Sequence, residues 1–189
     1  MKSVERAISS ALTCFHLADP TQGSPFNTGE RNQLSPQFKR LAALIGDMAF
    51  TAPRRYFSQS RSDKQPVYVF CEFSFSPSPP PLELHISSKP ASEKFKNLEH
   101  LGAAHSSDLA DPFNGGVTAD YFIQFITHGD PNGHSTSHRS TLHWPSYSND
   151  LPSVMRFFHD DIPVSIGLDD YRKEGLDHWN SLSIRFTPP

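Results

Sequence analysis

Val67-Tyr68-Val69-Phe70-Cys71-Glu72-Phe73-Ser74-Phe75 is rich in β-branched and aromatic residues and has Pro66 before it and Pro77 soon after it. Such a run reads as a buried strand. Further on comes His100-Leu101-Gly102-Ala103-Ala104-His105-Ser106-Ser107-Asp108-Leu109. Its small residues allow close backbone approach, so the histidine that follows them can be set into a crowded cleft. A histidine on a loop beyond a strand end is well placed to act as a general base, because a rigid sheet holds it.

Upstream of the strand, Ser35 offers a helix N-cap and Pro36 the first helical position. Phe38, Leu41, Ala42, Leu44 and Ile45 recur at helical spacing, with Lys39 and Arg40 off that stripe. Gly46 is expected to end this helix and Asp47 to cap the next, which carries Met48, Phe50, Tyr56 and Phe57. Asp47 also invites reading as a catalytic acid, but a helix cap asks for the same carboxylate, and the cap is the stronger reading. Downstream, Tyr121, Phe122, Phe125 and Ile126 give one apolar face to a short helix, 120–128. Gly129-Asp130-Pro131-Asn132-Gly133 then turns the chain, and Trp144-Pro145-Ser146-Tyr147 follows. Val154–Phe158 and Pro163–Gly167 read as two short edge strands around a His159-Asp160-Asp161 turn, and Arg172–Trp179 opens a terminal helix.

Four of these stretches, in the family's order along the chain, resemble the C-terminal part of the type-B carboxylesterase/lipase family, the cholinesterase-like α/β-hydrolases, and fungal members in particular. The family places its catalytic histidine in a Gly-x-x-His-x-x-Asp/Glu motif followed by a hydrophobic residue; Gly102, His105, Asp108 and Leu109 fit it. Ile45-Gly46-Asp47 with the apolar helix and Pro53 is the second match, and the 120–147 helix, turn and Trp-Pro-x-Tyr the third. The fourth is the terminal helix opening at Arg172. In the family the Trp-Pro-x-Tyr landmark is structural, so Tyr121, Trp144 and Tyr147 are expected to be packing residues. Asp19–Gly29 is similar to the loop that links the family's helical cap region back to the sheet.

The resemblance implies an α/β fold that is an incomplete C-terminal part of an α/β-hydrolase: last central strand, edge strands and flanking helices. It divides the chain into a divergent start, 1–18, and a carboxylesterase-type segment, 19–189, interrupted by a proline-rich insertion at 76–99. A run such as Pro79-Pro80-Pro81 is stiff and extended, and a long stretch without periodicity reads as an excursion from the domain.

The implied chemistry is carboxylic-ester hydrolysis through an acyl-serine, with His105 moving the proton and no cofactor. An α/β-hydrolase needs a serine in a Gly-x-Ser-x-Gly elbow, then an acid, then the histidine. No such elbow occurs in the chain. The nearest string, Gly133-His134-Ser135-Thr136-Ser137, follows a turn rather than a strand and lies after His105. Nothing in the first residues matches the family's acid. Asp108 follows the histidine too closely to be that acid and reads as its hydrogen-bonding neighbour or a loop cap. The chain is therefore expected to be inactive alone, to act on an ester only in a complete enzyme, and to need an N-terminal partner fragment. The alternative is a non-catalytic binding or adhesion fragment, since the family includes such proteins.

Other classes are weaker. His128, His134, His138 and His143 lie close together, but Gly133, Ser135, Ser137 and Ser140 favour a solvated loop over a metal site, so no metal is expected. The 189 residues carry a net charge of −3, which offers no basic surface for nucleic acid or an anionic membrane. No run is long and apolar enough for a membrane span. Lys2, Glu5 and Arg6 ahead of the mildly apolar Ala7–Leu17 do not make a clear signal peptide, so location is left open. Two cysteines, Cys14 and Cys71, do not make a disulfide framework.

Overall fold

In the computed structural model, residues 26, 33–73, 113, 116–133, 142–158 and 164–186 are described. The first helix, α1, spans Phe38–Gly46. It starts later than Ser35 and Pro36 suggest. The Phe38 N–H donates to Ser35 O at 3.0 Å, so these residues form a turn ahead of the helix, and Gln37, at φ −102°, takes the cap position without a side-chain bond.

Gly46 does not end the helix, and Asp47 does not cap another. Gly46 and Asp47 both hold right-handed helical angles, and the chain runs on through a π-helical segment, Asp47–Thr51, into α2, Ala52–Arg61. The cause is Pro53. Proline brings no N–H for the bond to the fourth residue back, and its ring crowds that residue's carbonyl. Widening the preceding turn relieves the crowding: the Ala52 N–H donates five residues back, to Asp47 O. With backbone donors satisfied by the helix itself, the Asp47 carboxylate is released for a tertiary partner.

The sheet is mixed and ordered β1-β2-β3 among the described residues. Strand β1 is Phe70–Phe73 and starts three residues later than the run Val67–Phe75 suggests, although Val67 and Val69 already bond in line with it; Ser74 and Phe75 lie outside the described residues. It pairs parallel with β2, Ser153–Phe158, which pairs antiparallel with β3, Val164–Leu168. The strand expected at Val154–Phe158 thus exists but is the middle strand, not an edge. Its nearly continuous apolar run suits burial on both faces, and Met155 is 0% exposed.

Alternation sorts the side chains. Val67, Val69, Tyr147 and Val154 cluster on one face, with Cys71 against them. On the other, Tyr68 and Phe70 pack with Tyr121, Trp144, Met155 and Phe157. Helix α3, Val117–His128, covers this second face; it starts three residues earlier than residues 120–128 suggested. Trp144 sits at the centre, edge-on to Tyr121 at 5.6 Å, Phe157 at 5.6 Å and Tyr68 at 6.0 Å. Each such pair contributes about 0.5–1.5 kcal/mol beyond the area it buries. Tyr121, Trp144 and Tyr147 are all buried, as packing residues should be.

The turn after α3 fixes this tryptophan. Gly129 takes φ +74°, a left-handed stop that glycine adopts without strain. Asp130 then accepts the Asn132 N–H at 2.8 Å and its side-chain amide at 2.9 Å. Oriented in this way, Asn132 accepts the Trp144 N–H at 2.6 Å and donates to Trp144 O at 2.9 Å. One side chain thus stands in for a strand neighbour. The terminal helix, α4, runs Lys173–Phe186.

Candidate functional site

Two aromatic contacts give the direction of α3. Phe122 meets Phe70 at 5.1 Å, and Phe125 meets Tyr68 at 5.8 Å. As α3 advances, its contacts move back along β1, so helix and strand run antiparallel. The start of α3 at Val117 therefore lies toward the carboxyl end of β1. Phe73 and Phe158 are register partners in the parallel pair, so the same end carries the carboxyl terminus of β2. Segment 74–115 thus leaves and rejoins the described framework at the carboxyl ends of two parallel strands. In open α/β sheets that end is where ligands bind.

His105 and Asp108 lie on this segment, outside the described residues, as does the proline-rich stretch 76–99. Of the histidine group, His134 and His138 lie outside as well, together with Ser135. His128 Nδ1 is 2.7 Å from the hydroxyl of Thr127, and His143 is exposed. Among the described residues no group of three or more metal-ligating side chains comes together. Nor is any helix among them long and apolar enough to cross a membrane.

A buried ionic cluster, which the sequence does not announce, ties the helical layer to the end of the sheet. Asp169 follows β3 directly. It accepts Arg54 at 2.5 and 2.8 Å and Arg55 at 3.2 and 2.9 Å. Arg55, whose side chain is 1% exposed, also donates to Tyr171 O at 2.9 Å. Burial opposes ionisation of Asp169, but hydrogen bonds and charge from Arg54 and Arg55 outweigh it and hold the carboxyl below its ordinary pKa. Asp47 accepts Arg172 at 2.8 Å, with both side chains buried. Arg172, at φ +45°, lies over the Phe26 and Tyr171 rings and donates to the Tyr171 hydroxyl. Burial, reinforced by Asp47, pushes the Tyr171 phenol up to about 12.

These carboxylates are fully engaged by guanidinium groups, so the cluster acts as a brace and not as acid–base machinery. Asp47 in particular is spent on Arg172, which is neither of the two roles its sequence context offered. The only sequence signals for the brace are Arg54-Arg55 after Pro53 and the charged run Asp169-Asp170-Tyr171-Arg172. Neither says which residue meets which.

The chain is 30% identical over 172 residues to Lipase 4 of Diutina rugosa, a match covering 88% of this chain and 27% of that protein. To Secreted lipase 1 of Botryotinia fuckeliana it is 33% identical over 138 residues, covering 69% of this chain and 21% of that lipase. The chain belongs to the carboxylesterase/lipase family. It corresponds to a C-terminal segment of that family and spans about a quarter of the length of the curated relatives it matches, including Lipase 2 of Geotrichum candidum at 29% identity. No family model matches it. A solved structure, PNB esterase, superimposes with a TM-score of 0.46 at 16% identity, covering 91% of this chain and 33% of that one. The α/β architecture agrees with the fold class expected from the sequence.

Proposed function

We propose that this chain supplies the proton-transferring histidine of a carboxylic-ester hydrolase, His105, to a serine that lies outside it. Three of the relatives that match it are lipases by name, and the complete activity would be cleavage of a carboxylic ester through an acyl-serine. His105 takes the serine proton during attack and returns it to the leaving alcohol; Asp108 holds the loop beside it. The observation that carries this reading is the framework at the roots of segment 74–115. Antiparallel packing of α3 on β1 brings both roots to the carboxyl ends of β1 and β2, where an α/β sheet presents its reactive groups.

The Gly133–Ser137 string stays a poor nucleophile on this reading, because Gly133 follows the Asp130–Asn132 turn and not a strand end. The chain alone therefore has nothing for His105 to activate. In a p-nitrophenyl ester assay the isolated chain should show no turnover. Grafted in place of the matched segment of Lipase 4, it should support turnover that His105→Ala abolishes. Turnover by the isolated wild type that His105→Ala removes would overturn the reading.

A further inference from the structure

The π-helical segment between α1 and α2 does more than free the Asp47 carboxylate. An α-helix advances about 100° per residue, so positions seven apart lie only about 20° from one another on its surface. Ala52 stands seven residues after Ile45, and Arg54 seven after Asp47. Carried through as one α-helix, this stretch would set Ala52 in line with Ile45 and Arg54 in line with Asp47. Burial contradicts both alignments. Ala52 is 0% exposed and Ile45 is 60% exposed. The side chain of Arg54 is 36% exposed, whereas that of Arg55 is 1% exposed.

A π turn closes on the fifth residue back, not the fourth, and so absorbs one residue more than an α turn. Everything after it is set back by about 100° relative to an uninterrupted helix. Arg55, which plain α geometry would put about 80° from Asp47, moves to within about 20° of it. In the same step Ala52 swings from the exposed line of Ile45 to the buried side. Asp47 and Arg55 then face the chain that follows β3, where Arg172 and Asp169 meet them.

We propose that this π turn is a phase-setting device: it selects Arg55 over Arg54 as the buried partner of Asp169 and puts both ion pairs on one face of the helical layer. Pro53 installs the turn, and the two ion pairs keep it from tightening back to α geometry. Arg54 is left at the rim and reaches the same carboxylate from the half-exposed side. Asp169 follows β3 directly, so the choice of arginine also fixes how α1 and α2 seat against the end of the sheet.

Helix length and helix phase can be changed separately. Removing Ala49, which is exposed, together with Pro53→Ala takes out both the extra residue and the block to α geometry. Asp47 and Arg55 are then seven apart and share a face of a plain α-helix. Hydrogen exchange at the Asp169 and Lys173 amides of the full chain should stay within about threefold of wild type. One alanine inserted after Ala49 instead turns Arg55 away by about another 100° and should speed that exchange about tenfold or more. In the deletion variant, Arg55→Lys should still speed exchange at Asp169 about tenfold or more, and Arg54→Lys should leave it within about threefold. A deletion variant that loses protection overturns the proposal. So does an inserted alanine without effect, or a deletion variant that depends on Arg54 in place of Arg55.

Discussion

The aromatic face under α3 and the ionic brace behind α2 hold this molecule together by different means. The first gathers Tyr68, Phe70, Tyr121, Trp144 and Phe157 from segments whose apolar spacing already points inward. The second joins Arg54 and Arg55 to Asp169, and Asp47 to Arg172, across 114 to 125 residues of chain. Apolar packing tolerates loss in proportion to the volume removed. A buried ion pair does not, because removing one partner strands the other charge.

The largest effect should come from breaking the brace on one side. Asp169→Ala leaves Arg55 buried with only a backbone carbonyl as partner and should cost about 3–5 kcal/mol. Trp144→Ala should cost about as much, 3–5 kcal/mol, by opening a cavity among four rings. The two are told apart by rescue: replacing Asp169 and Arg55 together with apolar residues should recover most of the loss, whereas no single neighbour refills the Trp144 site. Hydrogen-exchange protection of the Met155 amide, read in each variant, measures both. Recovery in neither case would put the two regions on the same footing.

Asn132→Ala is smaller. It leaves the Trp144 N–H and C=O without their side-chain partner and should cost about 1–3 kcal/mol. The same exchange measurement, made at the Trp144 amide, checks it.

Protons divide the regions as well. The Asp169 carboxyl is depressed in the fold, so its contribution is present above the ordinary aspartate pKa of about 3.9 and lost as pH falls through the folded value. The Tyr171 phenol is raised to about 12, so its contribution is complete below the ordinary tyrosine value near 10 and is lost as pH climbs from there to about 12. Acid and strong alkali should therefore loosen the brace. Followed by exchange at Asp169 and Lys173, protection should fall at both extremes, and Asp169→Asn should remove the acid limb.

This contrast also explains what could be read from the amino-acid order. The buried strand at Val67, the turn at Gly129–Asn132 and the packing role of Trp144 are local events, each set by composition or by residues within a few positions. Helix α1 was legible as an apolar stripe, but its ending was not. Gly46 resembles a stop, yet the controlling residue is Pro53, which widens the helix ahead of itself. Likewise the reading of Val154–Phe158 as an edge strand failed because only pairing with β1, far upstream, makes β2 central. His105 and Asp108 are proposed on a motif alone and lie outside the described residues; the fold supplies only the two roots of segment 74–115.

The account turns on whether His105 activates a serine that lies outside these 189 residues. A fluorophosphonate ester reacts with a serine that a neighbouring imidazole has activated, and peptide mapping shows which one. Treating Lipase 4 with this chain grafted in place of its matched segment should label a single serine outside the graft, with the label lost in His105→Ala and no label on this chain alone. A label that persists in His105→Ala, or one found on a serine of this chain, would contradict it.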